Sequence, residues 1–92
     1  MGHTVKEKAK LLGRVRRLRG QMDALERALE SEKPCGDILQ QIAAVRGAIN
    51  GLMAEVIEDH IQLHVTGPAP RNEADRSKGA AELIDVVRTY LK

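Results

Sequence analysis

The sequence predicts an all-α fold of three helices with a long central helix. Three observations carry this: two long apolar seams at helical spacing, the absence of any alternating strand pattern, and a hydrophobic complement almost without rings. Of the 92 residues, 42% are hydrophobic, mostly Leu, Ile, Val and Ala, with no Trp, no Phe and a single tyrosine, Tyr90. Branched aliphatic side chains of this kind interdigitate readily between packed helices.

Each element has its own signals. Thr4 and Glu7 stand at capping-box spacing, and Leu11, Val15, Leu18, Met22, Leu25 and Leu29 follow at alternating intervals of four and three, predicting a first helix that ends near Glu30. Ser31 to Gly36 reads as a turn in which Pro34 suits a first helical position. Ile38, Ile42, Val45, Ile49, Leu52 and Val56 repeat the same interval pattern, and no proline intervenes before Pro68. That predicts a second helix of about 30 residues, or roughly 45 Å at 1.5 Å per residue. Thr66-Gly67-Pro68-Ala69-Pro70 stops it, and Ala80, Ile84, Val87 and Leu91 place a third helix over residues 73 to 91, with Asn72 as its cap.

A chain of 10.1 kDa is expected to form a single domain, residues 1–92, and one so small buries too little apolar surface alone. Cys35 is the only cysteine, which excludes an intrachain disulfide and leaves a metal or partner subunits as the staple. A helix of roughly 45 Å also outreaches a compact globule of this size. Gly47, Ala48 and Gly51 near its middle suit a close crossing with the same helix of a second copy, so an antiparallel helical dimer is expected. No apolar run is long enough to span a membrane and no signal peptide is evident, which points to the cytoplasm. No Gly-rich phosphate loop and no nucleophile context for serine appear, so an enzyme is disfavoured.

Charge is concentrated at one end. The formal net charge is only +2, yet residues 1 to 20 carry +6 and the remainder −4. Lys6, Lys10, Arg14 and Arg17 fall within about 80° of one another at 100° per residue, a basic stripe beside the apolar seam, flanked by Arg16 and Arg19. A nearly unmixed basic face is an electrostatic footprint for phosphates, and the lack of aromatic residues for base stacking favours duplex DNA over single-stranded RNA. Lys10, Arg14, Arg16, Arg17 and Arg19 are the candidate DNA contacts.

The remaining chemistry lies in His3, Cys35, His60 and His64. His60 and His64 are one helical turn apart and share a face, the spacing of a bidentate metal pair. If the first two helices form an antiparallel hairpin, residue i of one faces about residue 66 − i of the other, which brings His3 beside them. Cys35 sits at the other end of the second helix, about 38 Å along it. The midpoint between Cys35 and the histidines falls within Gly47 to Gly51, so a crossing dimer delivers Cys35 of one subunit to the histidines of the other. Cys35 also occupies the first helical turn, where the dipole favours a ligating thiolate. Removal of Met1 before Gly2 would add an α-amine next to His3. This nitrogen-rich set with one thiolate suits nickel or cobalt, with zinc as a further possibility in vitro.

With these residues assembled, the chain resembles the CsoR/RcnR/FrmR family of small all-helical bacterial transcriptional repressors over essentially its full length. The resemblance is carried by Arg14-Val-Arg-Arg-Leu-Arg-Gly-Gln21, Leu39-Gln-Gln-Ile-Ala-Ala-Val-Arg-Gly-Ala48 and Asn50-Gly-Leu-Met-Ala-Glu-Val56. It implies a three-helix subunit, a dimer of dimers, and double-stranded operator DNA released when an inducer occupies a site centred on Cys35. The pattern His3, Cys35, His60, His64 resembles the nickel/cobalt sensors of the RcnR and DmeR type, which control efflux genes. Copper(I) and persulfide sensors need a second cysteine that this chain lacks. The formaldehyde-responsive FrmR branch is the alternative, since the first helix and the middle of the second resemble it closely. Its chemistry joins the amine of an N-terminal proline to the cysteine through one carbon, whereas this chain has Gly2. Pro34 directly before Cys35 and Leu63 in place of a carboxylate also depart from the metal-sensor pattern.

Overall fold

The computed structural model describes residues 5–67 and 72–91. It contains α1 (Val5–Glu30), α2 (Cys35–Ile61), a π-helical turn (Gln62–Thr66) that continues α2, and α3 (Glu73–Tyr90), with no strand among the described residues. The three-helix expectation and the ends of α1 and α3 hold to within a residue or two. Thr4, Gly2, His3 and residues 68–71 lie outside the described residues, and with them the expected capping box and part of the linker. The second helix differs from expectation at its end: α-geometry stops at Ile61, and only the wider π turn reaches Thr66.

The junction between α1 and α2 is a Schellman motif with an unusual residue at its pivot. Glu32 takes a positive φ of 56°, while the Lys33 amide donates to Ala28 O at 3.0 Å and the Glu32 amide to Leu29 O at 3.2 Å. Ser31 N–H and Oγ close on Arg27 O and Ala28 O, so the last carbonyls of α1 are satisfied within the turn. Pro34 precedes the first helical position: its carbonyl accepts from the amides of Asp37 and Ile38, making it the backbone cap and Cys35 the first residue of α2.

Two compact units are present, one built on α1 and α2 up to Met53, the other from Ala54 through α3. In the first, α1 and α2 run antiparallel in the expected register. Met22 and Leu25 line one groove with Ile42, Val45 and Ile49, and the Arg14 guanidinium reaches Gly51. Each apolar seam divides by sevens. Leu11, Leu18 and Leu25 of α1 are half-buried, as is Ile38 of α2, and Val45 is buried. The alternate positions, Val15, Met22 and Leu29 with Ile42 and Ile49, remain 39% to 58% exposed. Among the described residues only Ala28 and Val45 count as buried core.

In the second unit α3 is seated on the π turn. Asn72 caps it as expected, its side-chain oxygen accepting from the Asp75 amide at 3.0 Å. No helix is long and apolar enough to cross a membrane among the described residues.

Candidate functional site

His60 and His64 are brought together at the end of α2. Their ring centroids are 4.9 Å apart with planes inclined at 47°, near enough for one nitrogen of each to reach a single ion. His60 belongs to the last α-helical turn and His64 to the π turn, a geometry that recurs at functional sites because it breaks the regular ladder locally. Thr66 Oγ1 donates to Ile61 O at 3.3 Å, tying the end of the π turn to its beginning. Gly67 follows, and a Cβ there would collide with Gln62 O.

Two contacts from α3 hold this segment. His60 Nε2 lies 2.8 Å from Gly79 O. A carbonyl only accepts, so Nε2 carries the proton, which leaves the lone pair of neutral His60 on Nδ1. Arg76 Nη1 donates to Val65 O at 2.6 Å. Gly79 is buried against the backbone of His64: an added Cβ would stand 2.9 Å from His64 Cβ and closer still to its carbonyl oxygen. None of these partners was foreseen. Arg76 and Gly79 carry no signal of their own in a polar helix, because their role depends on how α3 folds back.

Cys35 is exposed at the start of α2 and unpaired with another cysteine. Among the described residues no group of three His, Cys, Asp or Glu side chains is gathered as a metal site. The histidine pair is thus assembled within the chain, while Gly2 and His3 lie outside the described residues. Imidazole pairs suit borderline transition ions rather than magnesium or calcium, so the donors present fit such a metal in part.

The basic residues stand on α1. Lys10, Arg14, Arg16, Arg17 and Arg19 are all exposed. Arg14 also lies over α2, its Nη1 3.3 Å from where a Cβ at Gly51 would be. A side chain from the same chain's α1 thus reaches Gly51. Gly47 has open space around its Cβ direction.

The comparisons with known proteins agree with this architecture. The sequence model of the metal-sensitive transcriptional repressor family matches residues 7–89. The chain is 40% identical to the transcriptional repressor RcnR of Salmonella paratyphi B, and 51% identical to an uncharacterised protein encoded in the bioA 5' region of Serratia marcescens, in both cases over the full length of each chain. Among solved structures, a glutamate-to-histidine variant of the formaldehyde-responsive regulator FrmR from Salmonella enterica serovar Typhimurium superposes with a TM-score of 0.88 at 50% identity, over 96% of this chain and 98% of that one. The chain belongs to the metal-sensitive transcriptional repressor family, whose members are regulators of transcription and not enzymes.

Proposed function

We propose that this protein is a nickel- or cobalt-responsive repressor that binds operator DNA without metal and releases it when metal binds, derepressing efflux genes. The observation that carries this reading is the His60/His64 pair at the end of α2. The metal set is completed by Cys35 from a second copy, by His3 and by the amine exposed at Gly2. Lys10, Arg14, Arg16, Arg17 and Arg19 meet the phosphates of duplex DNA in the cytoplasm. The protein works as a dimer of dimers, supported by the uncovered half of each apolar seam and by Gln21 and Gln41, whose side-chain oxygens are buried without a hydrogen-bond partner. A second copy covers the seam and supplies such donors.

Metal draws the N-terminus and the start of α1 towards α2 and alters the basic face. A coupling of about 1 to 3 kcal/mol corresponds to roughly 5- to 150-fold weaker DNA binding. The second reading is response to formaldehyde, favoured by the likeness to FrmR and by the exposure of Cys35. There the thiol sulfur and the N-terminal amine nitrogen each bond to the aldehyde carbon, which becomes a methylene bridge, and the two protons they lose leave with the aldehyde oxygen as water. Fluorescence anisotropy of the apo-protein on the DNA upstream of its gene, titrated with Ni(II), Co(II), Zn(II) and formaldehyde, separates the two. Release by nickel or cobalt that is lost in His64→Ala supports the metal sensor. Release by formaldehyde alone overturns it.

A further inference from the structure

Arg76 and Gly79 stand one turn apart on the same face of α3, and both meet the segment that carries the two histidines. We propose that Arg76 and Gly79 are positioning residues that present Nδ1 of His60, together with His64, to the inducer metal; this rests on the metal-sensor reading above.

The π turn ends a helix, and helix ends leave carbonyls without partners. Arg76 supplies a charged donor to one of them, Val65 O, directly after His64. That bond restrains the backbone on which His64 is carried. Gly79 acts on the other ligand. Its carbonyl accepts a hydrogen bond from Nε2–H of His60, which selects the other ring nitrogen as the ligand and fixes the orientation of the ring. The approach is possible only because residue 79 lacks a Cβ, since any side chain would strike the carbonyl of His64. The same glycine therefore sets the distance between α3 and both histidines. A serine or alanine at 79 lifts α3 from the turn and releases the His60 proton to either nitrogen. The two contacts are independent: one is a side-chain cation on a carbonyl, the other a carbonyl on an imidazole. Remote groups that orient a ligating histidine commonly change metal affinity by about 10- to 100-fold when lost.

The test uses the full-length protein in two parts. In the metal-free wild type, long-range proton–nitrogen correlation spectra in mildly alkaline buffer are expected to show His60 in the Nε2–H form, and Gly79→Ala is expected to show a mixture of tautomers. A wild-type spectrum with the proton on Nδ1 overturns the proposal whether or not any metal binds. In the second part, Co(II) titrations followed by visible absorption compare wild type with Arg76→Met and Arg76→Lys. The expected result is about 10-fold weaker binding for methionine, partly restored by lysine, with the DNA affinity of the metal-free proteins unchanged. Equal affinity and identical spectra for Arg76→Met and wild type overturn the role of Arg76. If wild type binds no Co(II), the metal-sensor reading fails and the proposed presentation of ligands fails with it, whereas the tautomer still reports whether Gly79 orients His60. Circular dichroism verifies that Gly79→Ala folds, and Arg76→Met provides the reading if it does not.

Discussion

The guanidinium of Arg14 rests over Gly51, with Nη1 3.3 Å from the position a Cβ would take there. A candidate phosphate contact on α1 is therefore also a contact to the middle of α2. Removing the charge should weaken DNA binding without unfolding the hairpin. For Arg14→Ala and Arg17→Ala, operator affinity is expected to fall for all sequences alike, and the slope of log affinity against log salt to shrink by about 1 for each lost phosphate contact. Anisotropy titrations at several salt concentrations measure this; an unchanged slope would remove these arginines from the interface.

Glu32 occupies a left-handed conformation that the Schellman turn requires and that a side chain resists. Glu32→Gly is expected to stabilise the protein by about 1 kcal/mol, the approximate cost of holding a residue with a Cβ in that region. Urea unfolding compared at equal protein concentration provides the check. A loss of stability would mean that the Glu32 carboxylate makes a contribution larger than the strain.

Asn72 closes the N-terminus of α3 by accepting from Asp75 N. Asn72→Ala should cost about 1 kcal/mol. Because α3 bears on the turn that carries His64, hydrogen exchange should quicken in residues 62–66 as well as in α3. Faster exchange confined to α3 would contradict the seating described.

Gly47 has open space around it within its own chain, so bulk there harms nothing unless another copy crosses α2 at that point. Gly47→Leu is expected to shift the protein to a smaller species in sedimentation while leaving its helicity largely intact. An unchanged oligomer would place the crossing elsewhere.

Cys35→Ala and His64→Ala should each retain operator binding in the absence of metal and lose release by nickel or cobalt. Anisotropy with and without one equivalent of metal shows both properties in one titration. If Cys35→Ala still responds fully, the thiolate is not a ligand.

Much of this architecture is legible in the residues themselves. The alternating intervals of Leu11 to Leu29 and Ile38 to Val56 announce two helices, and the antiparallel register expected from the turn places Arg14 opposite Gly51 and Met22 with Leu25 opposite Ile42 and Val45, as found. Asn72 is readable because capping is local chemistry between residues three apart. The π turn is not readable in this way: Leu63 and Val65 look like ordinary helical residues, and the shift to wider winding comes with the packing of α3. Glu32 in place of the usual glycine conceals the Schellman turn for a related reason, since the hydrogen bonds demand the conformation whatever residue supplies it. The partners of His60 and His64 depend on where Gly79 comes to rest, and nothing within one turn of Gly79 reveals that.

The division of the apolar seams by sevens has a consequence for how the cell maintains this protein. Leu18 and Leu25 find shelter within the chain, and if Met22 and Leu29 find theirs in the proposed second copy, folding and association become one reaction of second order. The thermal midpoint should climb with protein concentration, as mass action requires. On that proposal, newly made subunits below the association threshold would remain open to proteolysis, and those above it would be protected. Abundance would then rise more steeply than synthesis, so that occupancy of the operator would switch on over a narrow range of gene expression even before any inducer enters the account.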